Sequence, residues 1–217
     1  ETVEGVDADE HGEAYDDAAF PLLVPISNPR LETGLVEFAV SIARAHDDAM
    51  VRVVHVVQTP DRMDLEPGSP EHERILSESD RLMSDVRERI EGHGVACQHS
   101  TIVSNRSFED VFDAASRADP DLVVMGWGEG QLWDAARAER PIDQLTRHLP
   151  CDFLVVDPKE LDPSRILLPT AGGPDNAVAA SVAAALRDAT GAAVTLLHVV
   201  PDEAEREAGE AFLAEWA

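Results

Sequence analysis

The chain has 217 residues, with 43 Asp and Glu against 17 Lys and Arg, a formal charge of −26 and 44% hydrophobic residues. This length suits one to two domains, and the hydrophobic fraction is large enough for a buried core, which argues against wholesale disorder. Such an acidic surface repels phosphate backbones and anionic headgroups, so the charge disfavours binding to nucleic acids and to membrane surfaces.

The predicted elements begin after an acidic segment. Residues 1–20 contain eight acids and no Lys or Arg, and we expect them to form a solvated linker. From residue 21 onward, short apolar runs alternate with stretches of helical periodicity. The predicted strands cover residues 22–26, 51–57, 95–103, 122–125 and 153–156.

Helices are predicted between these strands. Ser69-Pro70 is typical of an N-cap followed by Pro at the first helical position, and Gly92 and Gly94 end the long helix that starts there. The inner face of this helix carries Ile75, Leu82, Met83, Val86 and Ile90. Three further helices are predicted. One carries Leu35 and Ile42, one begins at a capping box of Ser107 and Asp110, and one spans residues 142–147.

Strands that are almost entirely apolar and alternate with helices indicate a parallel sheet covered on both faces. We therefore predict an α/β domain over residues 21–158, with a doubly wound five-stranded parallel sheet. The sequence then repeats itself. Residues 166–169 match residues 22–25 at an offset of 144, and residues 194–200 match 51–57 at an offset of 143. Residues 164–217 are thus interpreted as the truncated N-terminal part of a second copy.

The run Arg147-His148-Leu149-Pro150-Cys151-Asp152-Phe153-Leu154-Val155-Val156, together with Met125-Gly126, resembles the signature stretch of universal stress protein domains. The resemblance covers residues 21–158 and resumes from residue 165. It implies an adenine nucleotide alpha hydrolase-like fold with sheet order 3-2-1-4-5. It also implies that tandem domains or protomers of a homo-oligomer pair through the last strand, here Phe153–Val156.

In nucleotide-binding members of that family, glycines spaced Gly, two residues, Gly, nine residues, Gly-Ser/Thr cradle the phosphates of ATP. Here Gly126 is retained, but the later positions are occupied by Glu129, Glu139 and Arg140. Two like charges about 4 Å apart repel by roughly 4 kcal/mol at an effective dielectric of 20, so the two carboxylates disfavour a triphosphate. Gly128 and Gly130 offer a shifted loop in its place.

The family's acidic residue after the first strand is Ser27 here, and Ala171 in the second copy. We therefore expect no cofactor, with ATP or AMP as the alternative. The candidate site is a degenerate nucleotide cleft formed by Ser27, Asn28, Gly126, Gly128, Glu129, Gly130, Glu139 and Arg140.

The opening run Pro25-Ile26-Ser27-Asn28-Pro29 resembles the family branch fused to amino-acid permeases and cation transporters. The resemblance implies a non-enzymatic regulatory and assembly domain, cytoplasmic and tethered to the membrane through a transporter domain. We expect the chain, which opens on Glu1 and not on Met, to be a piece of such a protein. The alternative is a free-standing soluble stress protein that binds an adenine nucleotide. Lys159 is the only lysine of the chain. A high acid content with almost no lysine is typical of proteins from high-salt cells, so the composition predicts such a source.

Other chemical groups have plainer interpretations. His93, Cys97 and His99 lack a fourth metal ligand, and the two cysteines Cys97 and Cys151 are too few for a disulfide framework. No Gly-x-Ser-x-Gly, His-Glu-x-x-His or Walker sequence occurs, so an enzyme is not expected. His55 and His198 recur at the ends of equivalent strands and are interpreted as sharing a hydrogen-bonding role. Trp127 and Trp133 either stack on a ligand or cover the sheet edge.

Overall fold

The computed structural model describes residues 3–5, 20–59, 66, 68–104, 107–127, 151–157 and 161–216. The chain divides into two compact units, residues 1–161 and 162–217.

The described part of the first unit forms a six-stranded sheet. Its strands are β1 (Val3–Gly5), β2 (Phe20–Ile26), β3 (Ala49–Gln58), β4 (Ala96–Ser104), β5 (Leu122–Gly126) and β6 (Asp152–Val156). They lie in the order β1-β4-β3-β2-β5-β6, and all neighbours are parallel except β1 and β4. Counted from β2, the five parallel strands have the order 3-2-1-4-5, which confirms the predicted fold class.

Strand β1 was not expected, because its residues fall in the segment interpreted as a linker. Val3 pairs with Val103 and Gly5 with Thr101, antiparallel to β4. An edge strand presents unpaired N–H and C=O groups that any extended segment can satisfy, whatever its side chains are. Composition alone therefore does not reveal this pairing, and the linker prediction does not hold for these three residues.

Three described helices cover the two faces of this sheet: α1 (Thr33–Ala43), α2 (Pro70–Gly92) and α3 (Ser107–Ala118). Side chains alternate along a strand, so Leu22 and Leu23 face opposite sides, and both are fully buried. Leu23 joins the cluster formed with α3, in which Phe112 also stacks on Phe153 of β6 at 5.1 Å between ring centroids. Helices α1 and α2 contact each other and pack against β2, β3 and β4.

The long helix α2 has the ends that the sequence predicts. The Ser69 hydroxyl accepts a hydrogen bond from the backbone N–H of His72 at 3.2 Å, and Pro70 is the first helical residue. The helix ends at Gly92, and Gly94 follows with φ of +78°, a conformation that glycine adopts at little cost. These ends place the N-terminal half of α2 beside the carboxyl end of β3.

The second unit contains β7 (Arg165–Pro169), α4 (Pro174–Thr190), β8 (Ala193–Leu197), a 3₁₀ turn (Glu203–Glu205) and α5 (Arg206–Trp216). Strands β7 and β8 are parallel, and Pro169 pairs with Leu197. After the offsets of 144 and 143, this register equals that of Pro25 with Val54 in the first unit. The domain boundaries and the interpretation of a tandem copy stay predictions.

Across the described residues, none of the helices is both long enough and apolar enough to traverse a lipid bilayer.

Candidate ligand cleft at the carboxyl ends of β2 and β3

The predicted site residues lie at one edge of the sheet where the structure describes them. Ser27 and Asn28 directly follow β2, and Gly126 is the last residue of β5. Since β2 and β5 are parallel neighbours, their carboxyl ends meet at this edge. Gly128, Glu129, Gly130, Glu139 and Arg140 lie outside the described residues, so their roles stay predictions.

A cavity opens at this edge between β3 and α2. It has a volume of about 340 Å³ and adjoins a second space of about 290 Å³ above the loop that follows β2. The main cavity is lined by Ser27, His55, Val56, Val57, Gln58, Ile75, Glu78, Ser79 and Leu82. Gly126 does not belong to this described lining, so the cavity lies on the β3 side of Ser27. Five of these nine lining residues are polar and four are apolar, so the cavity suits a small molecule with both polar and apolar parts.

The floor of the cavity is a chain of buried polar side chains. His55 and Thr101 are direct neighbours across β3 and β4, and Ser79 projects toward them from α2. His55 Nδ1 lies 2.6 Å from Ser79 Oγ, which lies 2.6 Å from Thr101 Oγ1. Each of these groups is at least 90% buried and has a partner, as buried polar groups require. These hydrogen bonds fix the His55 ring at the base of the cavity.

His55 also connects this floor to the loop that follows β2. Burial lowers the pKa of its imidazole, and a hydrogen bond with the Ser27 backbone opposes that shift. In the second unit, His198 Nδ1 lies 2.8 Å from the backbone carbonyl oxygen of Thr170, at the equivalent strand end. Both histidines are therefore hydrogen-bonded, but their Nδ1 atoms have different partners: the Ser79 hydroxyl for His55 and the Thr170 carbonyl oxygen for His198. The interpretation that the two copies share one hydrogen-bonding role stays a prediction.

Beneath the loop after β2 lies Glu32, whose side chain is 1% exposed. One carboxylate oxygen, Oε2, accepts hydrogen bonds from the backbone N–H of Ser27 at 2.7 Å and of Asn28 at 2.6 Å. The Ser27 hydroxyl lies 3.2 Å from the same oxygen. The loop thus wraps three donors around a single carboxylate oxygen that comes from its own chain.

The other oxygen of this carboxylate, Oε1, is buried and has no hydrogen-bond partner among the described residues. Burial raises the pKa of Glu32, while the bonds from Asn28 and Ser27 oppose the shift. A buried carboxylate that has no ion pair among the residues the structure describes, and that leaves one oxygen without a hydrogen bond, lowers the stability of the fold. It stabilises the loop conformation at a cost to the fold as a whole, which is the pattern found at functional sites.

Charged groups of both signs stand at the outer rim. Glu78 of α2 is exposed and lines both spaces, and Arg30 is exposed and lines the outer one. The site therefore offers a polar floor, partly apolar walls, and one carboxylate and one guanidinium at the rim.

The other polar residues considered in the sequence do not join this cleft. His99 Nε2 lies 2.9 Å from an Asp80 carboxylate oxygen, and His93 Nε2 lies 3.1 Å from Glu37. Burial raises the pKa of Cys97 to about 12. Within the ranges that the structure describes, no three or more His, Cys, Asp or Glu side chains are grouped to hold a metal ion. Trp127 donates its backbone N–H to the Val156 carbonyl oxygen at 2.6 Å, and its side chain is 41% exposed.

Sequence reasoning missed two residues that shape the cleft. Ser79 lies four residues from both Ile75 and Met83, so a polar side chain on the apolar face of α2 was the available signal. Glu32 gives a weaker signal. A carboxylate just before a helix normally accepts bonds from the first turn of that helix. Glu32 makes no such capping bond and turns back to the preceding loop, which spacing alone does not reveal.

The sequence model of the universal stress protein family matches residues 20–157. The chain is also 26% identical over 204 residues to the Na(+)/H(+) antiporter NhaS5 of Synechocystis sp.. That alignment covers 91% of this chain and 28% of the antiporter, so the chain spans little more than a quarter of the length of this relative.

Solved structures share the fold at low sequence identity. A universal stress protein from Archaeoglobus fulgidus matches with a TM-score of 0.61 and 13% identity, over 91% of this chain and 74% of that one. The cytoplasmic domain of a prokaryotic cation chloride cotransporter matches with a TM-score of 0.58 and 15% identity, over 90% and 72%. At these identities the likeness establishes the fold alone.

Proposed function

The chain belongs to the universal stress protein family, and from this premise we propose that it is a non-enzymatic regulatory and assembly domain of a cation or amino-acid transporter. In this proposal the domain is cytoplasmic and is tethered to the membrane by a transporter part of the same polypeptide. Tandem domains or protomers pair through β6, the edge strand of the described sheet that contains Phe153–Val156.

The observation that carries the proposal is the similarity to a Na(+)/H(+) antiporter over nearly the whole chain. The aligned part is a minor fraction of the antiporter, as expected for a domain attached to a larger membrane protein. The solved cytoplasmic domain of a cation chloride cotransporter has the same fold, which is compatible with this role. The cavity offers a place where a small molecule could bias the arrangement of the domains.

The test is a comparison of the parent protein with and without residues 20–217. We expect the truncated transporter to reach the membrane in equal amount, but its transport to respond differently to ion concentration, because a regulatory domain acts on an equilibrium and not on the pathway. The measurement is ion flux in proteoliposomes at matched protein content. A parent gene that encodes no membrane-spanning segment would contradict the proposal.

The alternative is a free-standing stress protein that binds an adenine nucleotide, and the retained Gly126 at the end of β5 favours it. Our proposal treats the nucleotide site as degenerate, with Glu129 and Glu139 standing where phosphates would lie. We predict that ATP and AMP with Mg²⁺ give no heat of binding to this chain in multimolar KCl by titration calorimetry. Micromolar binding would favour the alternative.

The variant that pairs Glu129→Gly with Glu139→Gly separates the causes of a failure to bind. If it gains nucleotide affinity, charge repulsion in the glycine loop excludes the triphosphate. If it does not, the loop after β2 or the loop shape is the stronger obstacle.

A further inference from the structure

The loop after β2 has the donor arrangement of an oxyanion site. Two consecutive backbone N–H groups, Ser27 and Asn28, and one hydroxyl converge on one oxygen. Such concave sets of backbone donors bind phosphate and carboxylate oxygens in proteins. Their N···O distances of 2.6 and 2.7 Å are at the short end of the range for charge-assisted bonds. Here the oxygen belongs to Glu32, five residues further along the chain.

We propose that Glu32 is a built-in replacement for an anionic ligand and determines the specificity of the cleft, which excludes phosphates and carboxylates and accepts uncharged or cationic small molecules. This rests on the proposed function in so far as the cleft beside Ser27 is its degenerate nucleotide site. The new element is a described carboxylate that already occupies the donors, independent of Glu129 and Glu139.

Displacement of Glu32 by an external anion is unfavourable for two reasons. A tethered group competes at a high effective concentration, so a free anion must bind far more tightly to replace it. A displaced Glu32 would also be left as a buried charge without hydrogen bonds, since no cation among the described residues forms an ion pair with it.

The cavity beside the loop has the same preference. Ser27 is shared between the Glu32 contact and the lining of both spaces. Glu78 adds a carboxylate at the rim, and Ile75 and Leu82 supply apolar contact. Arg30 lies at the exposed outer space, and Glu32 lies beneath the loop and lines neither space. An uncharged or cationic molecule with an apolar part fits the main cavity, whereas an anion there would meet the Glu78 carboxylate and loop donors that Glu32 already occupies.

The test uses the 217-residue chain and formate as the probe, with KCl added so that ionic strength is constant. In Glu32→Ala the three donors lose their partner, and we expect a lower melting temperature that formate raises saturably, because formate can occupy the vacated position. Inorganic phosphate is the second probe, and the amide NMR signals of Ser27 and Asn28 report its binding. In the wild-type chain neither probe should move these signals.

Two matched variants serve as controls. Glu78→Ala removes a carboxylate from the same cavity but leaves the loop donors occupied, so it should respond to formate as the wild type does. Glu32→Gln keeps the shape and one acceptor oxygen, so it should fold and show no formate rescue. A Glu32→Gln response equal to that of Glu32→Ala would indicate a bulk salt effect and overturn the proposal.

Two further results would also overturn it: saturable movement of the wild-type Ser27 and Asn28 signals by phosphate, or a Glu32→Ala chain that stays unfolded in formate. None of these outcomes depends on attachment to a transporter. Failure of this proposal and failure of the proposed function are therefore distinguishable.

Discussion

The two buried ionisable side chains of the cleft, Glu32 and His55, both resist ionisation. Burial raises the pKa of Glu32 and lowers the pKa of His55, so the neutral form of each is favoured relative to the unfolded chain. For Glu32, the native state holds its proton to a higher pH than the unfolded state does. Relative to its protonated form, ionised Glu32 therefore lowers the free energy of unfolding, while the side chain still supplies the acceptor that the loop donors need.

For His55 the downward direction of the pKa shift gives a testable pH dependence of stability. Its depressed native pKa contributes stability above the unfolded value of 6.5, and that contribution is lost as the pH falls through the native pKa. We predict that wild type loses up to about 1.4 kcal/mol per pH unit relative to His55→Asn in the window below pH 6.5. The measurement is urea unfolding of both proteins from pH 7.5 down to pH 5.

The control is the same comparison of wild type and His55→Asn from pH 7.5 to pH 8.5, above the unfolded value of 6.5, where the difference between the two proteins should stay constant. Parallel pH profiles of wild type and His55→Asn would contradict the assignment of a buried, neutral imidazole.

At the scale of the elements, the strands and helices follow from patterns that are local in the sequence. Strand β3 was predicted over residues 51–57 and spans Ala49–Gln58, and the start of α2 was predicted from Ser69-Pro70. These signals are local because apolar runs, caps and glycines act within one or two turns of chain. The parallel orientation of β2, β3, β4 and β5 then follows because a covering helix lies between each consecutive pair.

The parts of the structure that escaped prediction depend on backbone groups or on contacts between elements. Strand β1 pairs through its main chain to β4, which its acidic composition conceals. The contact of Ser79 with His55 joins residues 24 positions apart, and its geometry depends on how α2 lies across the sheet. The sequence therefore predicted that Ser27, Asn28 and Gly126 lie at one edge of the sheet, but it predicted neither the cavity beside β3 nor its polar floor. The nucleotide cleft itself stays a prediction.

At the scale of the whole molecule, the charge of −26 is a property that no single contact explains. Most described ion pairs are between exposed side chains, such as Arg74 with Glu71 and Arg206 with Glu203. Exposed pairs contribute little to stability, so they leave most of the repulsion among the 43 acids uncompensated. Screening by salt is then the main way to relieve it, since the Debye length falls from about 10 Å at 0.1 M to about 3 Å at 1 M.

We therefore predict that the melting temperature of the chain rises as KCl increases from 0.1 M to 3 M, most steeply below about 1 M, where the screening length changes most. Each kcal/mol of relieved repulsion corresponds to about 2–4 °C in a chain of this size.

The matched variant carries Asp85→Asn, Glu88→Gln and Glu91→Gln, three exposed positions of α2. With three fewer negative charges it should melt higher at low salt and gain less from KCl. A wild-type melting temperature that is flat or falls with KCl would show that self-repulsion does not limit this fold, and the composition would then need another explanation.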